Sequence, residues 1–267
     1  MGRQGRDQLE KWRESRIGEE RLNNQGCSMK IIEYNGANDI VVEFQDEYKG
    51  KVHTKYTHFL SGGVKNPYFH SVYGMCITGN KYPIRENGKQ TKEYISWNNM
   101  LKRCFDKRVK DEHPTYENVE CCEEWLYYPN FYEWLHSQKN FEKWYKGKRW
   151  HLDKDILVKG NRIYSPETCC LVPNNVNTLF IRQERQRGLQ PIGVSKVKNG
   201  FQSWCNNPFT NSQESLGNSY SSEKAFYKYK SYKEDLIKKI ANIEYNSGNI
   251  TKHCYEAMMN YEVEITD

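Results

Sequence analysis

The stretch WHLDKDILVKGNRIYSPETCCLVPNNVNTLF, residues 150–180, constrains this chain more than any other. Its pattern predicts a short strand over 150–155 and a polar loop closed by Ser165-Pro166-Glu167-Thr168. A second strand follows over 169–172, then a helix opening near Pro173. Proline suits a first helical turn, where a missing N–H costs nothing. Asp153 ends the first strand and Asn177 lies one turn into the helix, so the two side chains could share one divalent cation. A hairpin this small buries too little apolar area to stand alone, so its neighbours must brace it.

The residues before it supply such a brace. In TKEYISWNNMLKRCF the apolar residues Tyr94, Trp97, Leu101 and Cys104/Phe105 recur at spacings of three and four, which predicts an amphipathic helix. His113-Pro114-Thr115-Tyr116 breaks it. Two shorter helical turns are expected around 122–125 and 130–135, the second starting near Pro129. Four of the seven tryptophans lie from Trp97 to Trp144, and an aromatic stripe at helical spacing reads as core.

Toward the N-terminus, residues 3–21 alternate basic and acidic side chains and read as an exposed helix or a flexible arm, stopped by Asn23-Asn24-Gln25-Gly26. MKIIEY (29–34) and DIVVEF (39–44) are strand-like runs joined by Asn35-Gly36-Ala37-Asn38, a hairpin signal. Alternation in KVHTKYTHF (51–59) predicts a third strand, and the residues from Gly62 to Asn80 predict turns with a further strand. Lys49, Lys51, Lys55 and Lys65 among Tyr48, Tyr56 and Tyr68 could form a nucleic-acid surface, although a solvated lysine face explains them as well. His53, His58 and His70 lack a metal-ligand spacing and read as structural or exposed.

Beyond the hairpin, RQERQRG (182–188) is a basic linker. PIGVSKVK (191–198), Asn199-Gly200 and FQSWCNN (201–207) give strand, tight turn and strand, and QESLGNSY (213–220) a third strand. Ser221-Ser222 offers an N-cap to a helix with Ala225, Tyr229, Tyr232, Leu236, Ile240 and Ile243 on one side. Lys224, Lys228, Lys230, Lys233, Lys238 and Lys239 fall elsewhere on that helix and read as solvated. A last helix is expected over 255–261.

The fold class is therefore α+β, with three segments: a small β-rich domain (1–93), a helical lead-in with the hairpin and helix (94–182), and a three-stranded sheet with one packed helix (183–267). Aromatics at 14% of the chain argue against disorder. A net charge of +6 permits an anionic partner without proving one. No apolar run reaches membrane-spanning length, and MGRQGRDQLEKWRESR lacks the apolar core of a signal peptide, so a cytoplasmic location is expected. The nine cysteines include no C-x-x-C pair, which predicts reduced, mostly buried thiols and no structural zinc.

The order strand, loop, strand, helix over 150–180 resembles the HNH, or ββα-metal, motif of phage homing-type endonucleases. The strands and helix after residue 190, with PIGV, a Leu-Gly before the helix and Ala-Phe-x-x-Tyr within it, resemble the Apetala-type (AP-two) DNA-binding domain often appended to those nucleases. Arg16-Ile17-Gly18-Glu19 through Met29, with Phe59, Lys65-Asn66-Pro67-Tyr68 and Tyr73-Gly74, resembles a β module near the start of many phage proteins.

The first resemblance implies a metal-dependent DNA endonuclease that nicks or cleaves duplex DNA in the host cytoplasm with Mg²⁺ or Mn²⁺. Asp153 and Asn177 take the metal-ligand positions, and Thr168 the place of the Asn that orients the general base. Lys154 stands where the family has the general-base His. It could act as base only after losing its proton, or it could hold the scissile phosphate. His151, two residues earlier, shares the strand face of Asp153 and could substitute as base or ligand. The second resemblance implies that the sheet enters the major groove, with Ser195, Lys196, Lys198, Gln202, Trp204 and Asn206 as candidates split between two faces. Arg182, Arg185 and Arg187 are placed for phosphates. Two alternatives stay open: a degenerate DNA-binding phage protein, regulatory or acting against a host system, and a protein-binding antagonist on the same scaffold. The oligomeric state is also open.

Overall fold

Residues 15–180 and 190–267 are described by the computed structural model, and their fold is α+β, with helices and several small sheets. They divide into two units, one of Met1–Trp97 with Glu123–Tyr132 and one of Asn98–Cys122 with Glu133–Asp267.

The first unit is built on an antiparallel sheet of β1 (Glu20–Leu22), β2 (Ser28–Gly36), β3 (Asp39–Phe44) and β4 (Lys51–Thr54), in that order. Residues 20 and 21, expected in a helix or arm, belong instead to the edge strand β1 paired with β2. The reason lies in the turn that follows. Asn23 Oδ1 accepts from the N–H of Gln25 and Cys27, at 3.0 and 2.8 Å, and this local bonding folds the chain back on itself. The rest of the expected arm, up to residue 14, lies outside the described residues. A register shift between Ile31 and Glu33 lets Ile31 and Tyr34 both face inward despite their spacing of three.

The expected third strand over 51–59 stops at Thr54 and gives way to α1 (Tyr56–Leu60). Helical spacing wins because it puts Tyr56 against Phe59, which is fully buried beneath the sheet with Met29, Ile40 and Phe44. The further strand expected between Gly62 and Asn80 is also not formed; the chain there makes only the isolated bridges Val72↔Cys76 and Ile77↔Tyr127. Two-residue strands β5 (Arg85–Glu86) and β6 (Lys89–Gln90) then lead into α2 (Lys92–Phe105). Trp97 donates its indole N–H to the carbonyl of Trp125, at 2.7 Å, within a buried cluster that includes Tyr128 and Phe131. These aromatics are core, as their spacing predicts.

The second unit carries α3 (Lys107–Glu112), a 3-10 turn at Pro114–Tyr116 and β7 (Glu120–Cys121). A second 3-10 turn, Glu123–Leu126, and the start of α4 (Tyr128–Ser137) belong to the first unit, while the end of α4 and α5 (Phe141–Lys146) belong to the second. The hairpin consists of β8 (Trp150–Asp153) and β10 (Cys170–Pro173), antiparallel, with Asp153 opposite Cys170 and His151 opposite Val172. Between them β9 (Ile163–Tyr164) pairs in parallel with β7, a connection that periodicity did not signal. Pro173 closes the strand and occupies the position just before a single helical turn, α6 (Asn174–Asn177).

The last sheet has the order β11 (Val194–Val197), β12 (Gly200–Asn207), β13 (Ser212–Ser219), all antiparallel. A Cβ at Gly200 would lie 2.5 Å from the carbonyl oxygen of Ser219, so the turn admits only glycine there. Ser221 caps α7 (Ser222–Asn246) by accepting from the N–H of Lys224, as its sequence predicts. α8 spans Lys252–Met259, three residues earlier at its start than expected. The buried stripe of α7 differs from the expected one. Ile243 is exposed, while Phe226, Lys233, Ile237, Ala241 and Glu244 are buried. Lys233 thus lies on the packed face and not in solvent, because it falls between Tyr229 and Leu236 on the stripe facing the core.

One core joins the hairpin to this sheet and helix. Ile156, Cys170, Val172 and Val176 pack in the same cluster as Val194, Cys205, Phe226, Ile237 and Cys254. The lead-in adds hydrogen bonds: the Asn140 amide donates to the carbonyls of Leu171 and Asn249, at 2.8 and 2.9 Å. All nine cysteines are free thiols, six of them buried.

Candidate metal site and nucleic-acid face

Asp153 sits where β8 gives way to the loop, and it is buried. Its Oδ1 accepts from the backbone N–H of Asp155 and Ile156, at 2.8 and 3.0 Å, so the carboxylate caps its own loop. Its Oδ2 has no hydrogen-bond donor among the described residues. Burial, and then the nearby Asp155 charge, push its pKa up to about 6, against the opposing pull of the two N–H donors.

Lys154 turns the other way and is buried as well. Its ammonium donates to Asp155 Oδ1 at 2.6 Å and to the carbonyl of Asn161 at 2.9 Å. Asn161 in turn donates its amide to the carbonyls of Lys154 and Ile163, both at 2.8 Å. Asn161 therefore fixes the loop around Lys154. Thr168, which the resemblance puts in the orienting place, donates its hydroxyl to the carbonyl of Ile163 at 2.6 Å and lies 3.1 Å from Ser165 Oγ. Its role here is to close the turn before β10.

His151 is half-buried, and its Nε2 lies 3.1 Å from Asn174 Oδ1. That contact turns one face of α6 toward β8. Asn177, three residues on, shares that face, and its amide makes no hydrogen bond with the described residues. Asn175 points elsewhere, donating to Glu244 Oε1 of α7 at 2.6 Å, while Asn249 donates to Glu244 Oε2 at 2.7 Å. The structure thus assembles His151 with Asn174, and separately Lys154 with Asp155 and Asn161. Asn161, Asn174 and Asp155 were not singled out from the sequence; their only signal was membership of the polar runs DKD, KGN and PNNVN.

The donor set bears on which cation fits. Among the described residues no group of three or more His, Cys, Asp and Glu side chains is placed to hold a metal. Asp153 Oδ2 and the Asn177 amide oxygen are hard oxygen donors, the ligand type that a cation such as Mg²⁺ takes. They do not match a thiolate-rich zinc centre.

In the last sheet, register separates the two faces. Ser195 pairs with Gln202, and Gln202 with Asn218, so these share a face with Trp204, Asn206, Gln213 and Ser215. Gln202 donates to Ser215 Oγ across that face at 3.0 Å. The opposite face carries Val194, Ser203 and Cys205 and is covered by α7, with Ser203 Oγ bonded to the carbonyl of Ala225 at 2.6 Å. Glu214 also lies on the α7 side, where Asn207 and Tyr232 donate to it. Among the described residues of the three strands, the outer face is polar apart from Val197 and Trp204 and carries no carboxylate. Of the sequence candidates, Ser195, Gln202, Trp204 and Asn206 lie on it. Lys196 pairs with Phe201 on the α7 side and is exposed, and Lys198 occupies the turn. Arg182, Arg185 and Arg187 lie outside the described residues.

Among the described residues no helix is long and apolar enough to cross a membrane. Comparison of the chain with family models, curated proteins and solved structures gives no match.

Proposed function

We propose that this chain is a metal-dependent endonuclease that hydrolyses phosphodiester bonds in duplex DNA and nicks one strand at its hairpin. The observation that carries the reading is local. An antiparallel strand pair runs directly into a one-turn helix, His151 touches Asn174 of that turn, and Asp153 keeps one carboxylate oxygen without a donor. The polar outer face of the last sheet supports a duplex as the substrate.

A divalent cation held by Asp153 Oδ2 and the Asn177 amide oxygen would stabilise the charge that develops on the phosphate and the departing oxygen. The chain's own residues supply the rest. His151 accepts a proton from the attacking water at one ring nitrogen while Asn174 holds the other. Lys154 is committed to Asp155 and Asn161, so it braces the loop and the base role falls to His151.

A supercoiled-plasmid nicking assay with Mg²⁺, Mn²⁺ or EDTA tests this on wild type, Asp153→Ala, His151→Ala and Lys154→Met. Metal-dependent nicking is expected, lost in Asp153→Ala and reduced about 100-fold or more in His151→Ala. Nicking that survives both substitutions sinks the assignment. One observation favours a second reading, DNA binding without cleavage: the residue after Asp153 is a lysine tied to Asp155, where the resembled family carries an imidazole. No cleavage under any metal, together with salt-sensitive duplex binding, would establish that reading instead.

A further inference from the structure

Arg103, in the last turn of α2, is a half-buried cation whose partners are neutral. Its Nη1 donates to the Tyr164 hydroxyl at 3.0 Å, and its guanidinium carbon lies 5.8 Å from the centre of the Tyr116 ring. Among the described residues no carboxylate comes within ion-pair distance of it. A guanidinium has five N–H donors in a planar fork, and only one hydrogen bond is made here. None of its nitrogens is a buried orphan, so the unused donors reach solvent.

Tyr164 belongs to the same arrangement. Its hydroxyl oxygen accepts from Arg103, and its own proton has no acceptor among the described residues. The tyrosine is fixed in β9 by pairing with β7, inside the loop that Asp153 caps. Lys154 lies on the same ring, its Nζ 5.9 Å from the ring centre. Two cations and an unmatched hydroxyl donor therefore meet at Tyr164, and Asp155 is the one acid that touches either cation. A half-buried guanidinium with unused donors and no carboxylate partner is open to an incoming anion, which supplies acceptors and counter-charge together. A planar fork beside a hydroxyl donor matches the tetrahedral oxygens of a phosphodiester.

We infer that Arg103 and Tyr164 form a seat for a backbone phosphate of the bound duplex, beside the hairpin. The inference rests on the duplex-binding part of the proposed function. Arg103 acts in binding and positioning and is not a catalytic residue.

The test is binding of a fluorescent duplex by the full chain in EDTA, across a salt series, with thermal melting of every variant. Arg103→Gln is expected to lower the slope of log K against log salt by about one, with affinity about tenfold weaker and an unchanged or higher Tm. Arg103→Lys keeps the slope and loses affinity, because it keeps the charge and lacks the fork. Tyr164→Phe also keeps the slope. An unchanged slope in Arg103→Gln overturns the seat, and a fall in Tm in both Arg103 variants with that slope makes Arg103 a structural residue. Absence of wild-type duplex binding removes the functional reading itself. If inorganic phosphate then raises the Tm of wild type and not of Arg103→Gln, the site takes a small anion and the duplex assignment is overturned.

Discussion

The hairpin β8–β10 and the sheet β11–β13 share one hydrophobic core and treat their polar groups in opposite ways. In the hairpin Asp153 bonds to two backbone N–H groups of its own loop, Lys154 to Asp155 and Asn161, and Thr168 to Ile163. Asp153 Oδ2 and the Asn177 amide are left without a hydrogen-bond partner among the described residues. In the sheet, one face is sealed by α7 while the other presents Ser195, Gln202, Asn206 and Gln213 with little internal bonding. A fixed geometry with few open valences suits one cation. A broad polar face with no carboxylate suits a long anionic partner. Under the proposed function, the hairpin would hold the ion and the sheet the duplex.

The largest expected effect is at the tie between them. Glu244 is buried and accepts from Asn175 of α6 and from Asn249. Glu244→Ala leaves two amide groups without an acceptor and is expected to cost about 3 kcal/mol in chemical denaturation. Nicking should fall with it, since α6 carries Asn174 and Asn177. A loss well under 1 kcal/mol would show that the hairpin stands without α7, and would break the comparison.

Asp153→Asn comes next. The folded carboxyl titrates at about 6, above its unfolded value near 4. A raised carboxyl pKa means that ionisation opposes folding, so metal-free stability falls as pH rises from about 4 to 6 and stays lower above that window. The asparagine keeps an oxygen for the cap and removes the charge. At pH 7 without metal it should stabilise the protein by roughly 2–3 kcal/mol while abolishing nicking. Melting at pH 4 and pH 7 checks the sign; destabilisation at pH 7 would mean that the charge itself holds the loop.

On the sheet the expectation is reversed, with function changing and stability not. Ser195→Glu combined with Asn206→Glu places two carboxylates on the outer face. Duplex affinity should fall by at least about tenfold, or ~1.4 kcal/mol, with Tm nearly constant. Lys224→Glu with Lys239→Glu on α7 should change affinity less than about threefold. Equal losses from the two pairs would move the duplex off the sheet.

The smallest effect concerns Lys233, whose pKa is lowered by burial, with the neighbouring Cys205 opposing that shift. A buried ammonium opposes folding at neutral pH, and that opposition fades as pH rises toward its ordinary value. Lys233→Met should raise stability by about 1 kcal/mol at pH 7, read by denaturant titration. A loss instead would indicate that Lys233 makes a contact the core requires.

Local chemistry made much of this fold legible. The N-cap at Ser221, the tight turn before Gly200, the amphipathic α2 and the strand pair ending at Asp153 all depend on residues a few positions apart. The misreadings have the same origin. Residues 51–59 carried both an alternating and a three-spaced pattern, and the buried place of Phe59 chose the helical turn. Thr168 and Asn161 are equally polar loop residues, and only the folded loop shows that Asn161 bonds to Lys154.

The sequence by itself determined the α+β class and the chemistry available at 150–177, because strand, turn and cap preferences act within a few residues. Tertiary structure alone decided which of those groups stay open. The approach of Arg103 to Tyr164 and the seating of Glu244 under α6 join residues 61 and 69 positions apart, and the core shared by hairpin and sheet joins segments separated by the linker. Such pairings are set by burial and by matching donors to acceptors across the fold, and no local pattern encodes them.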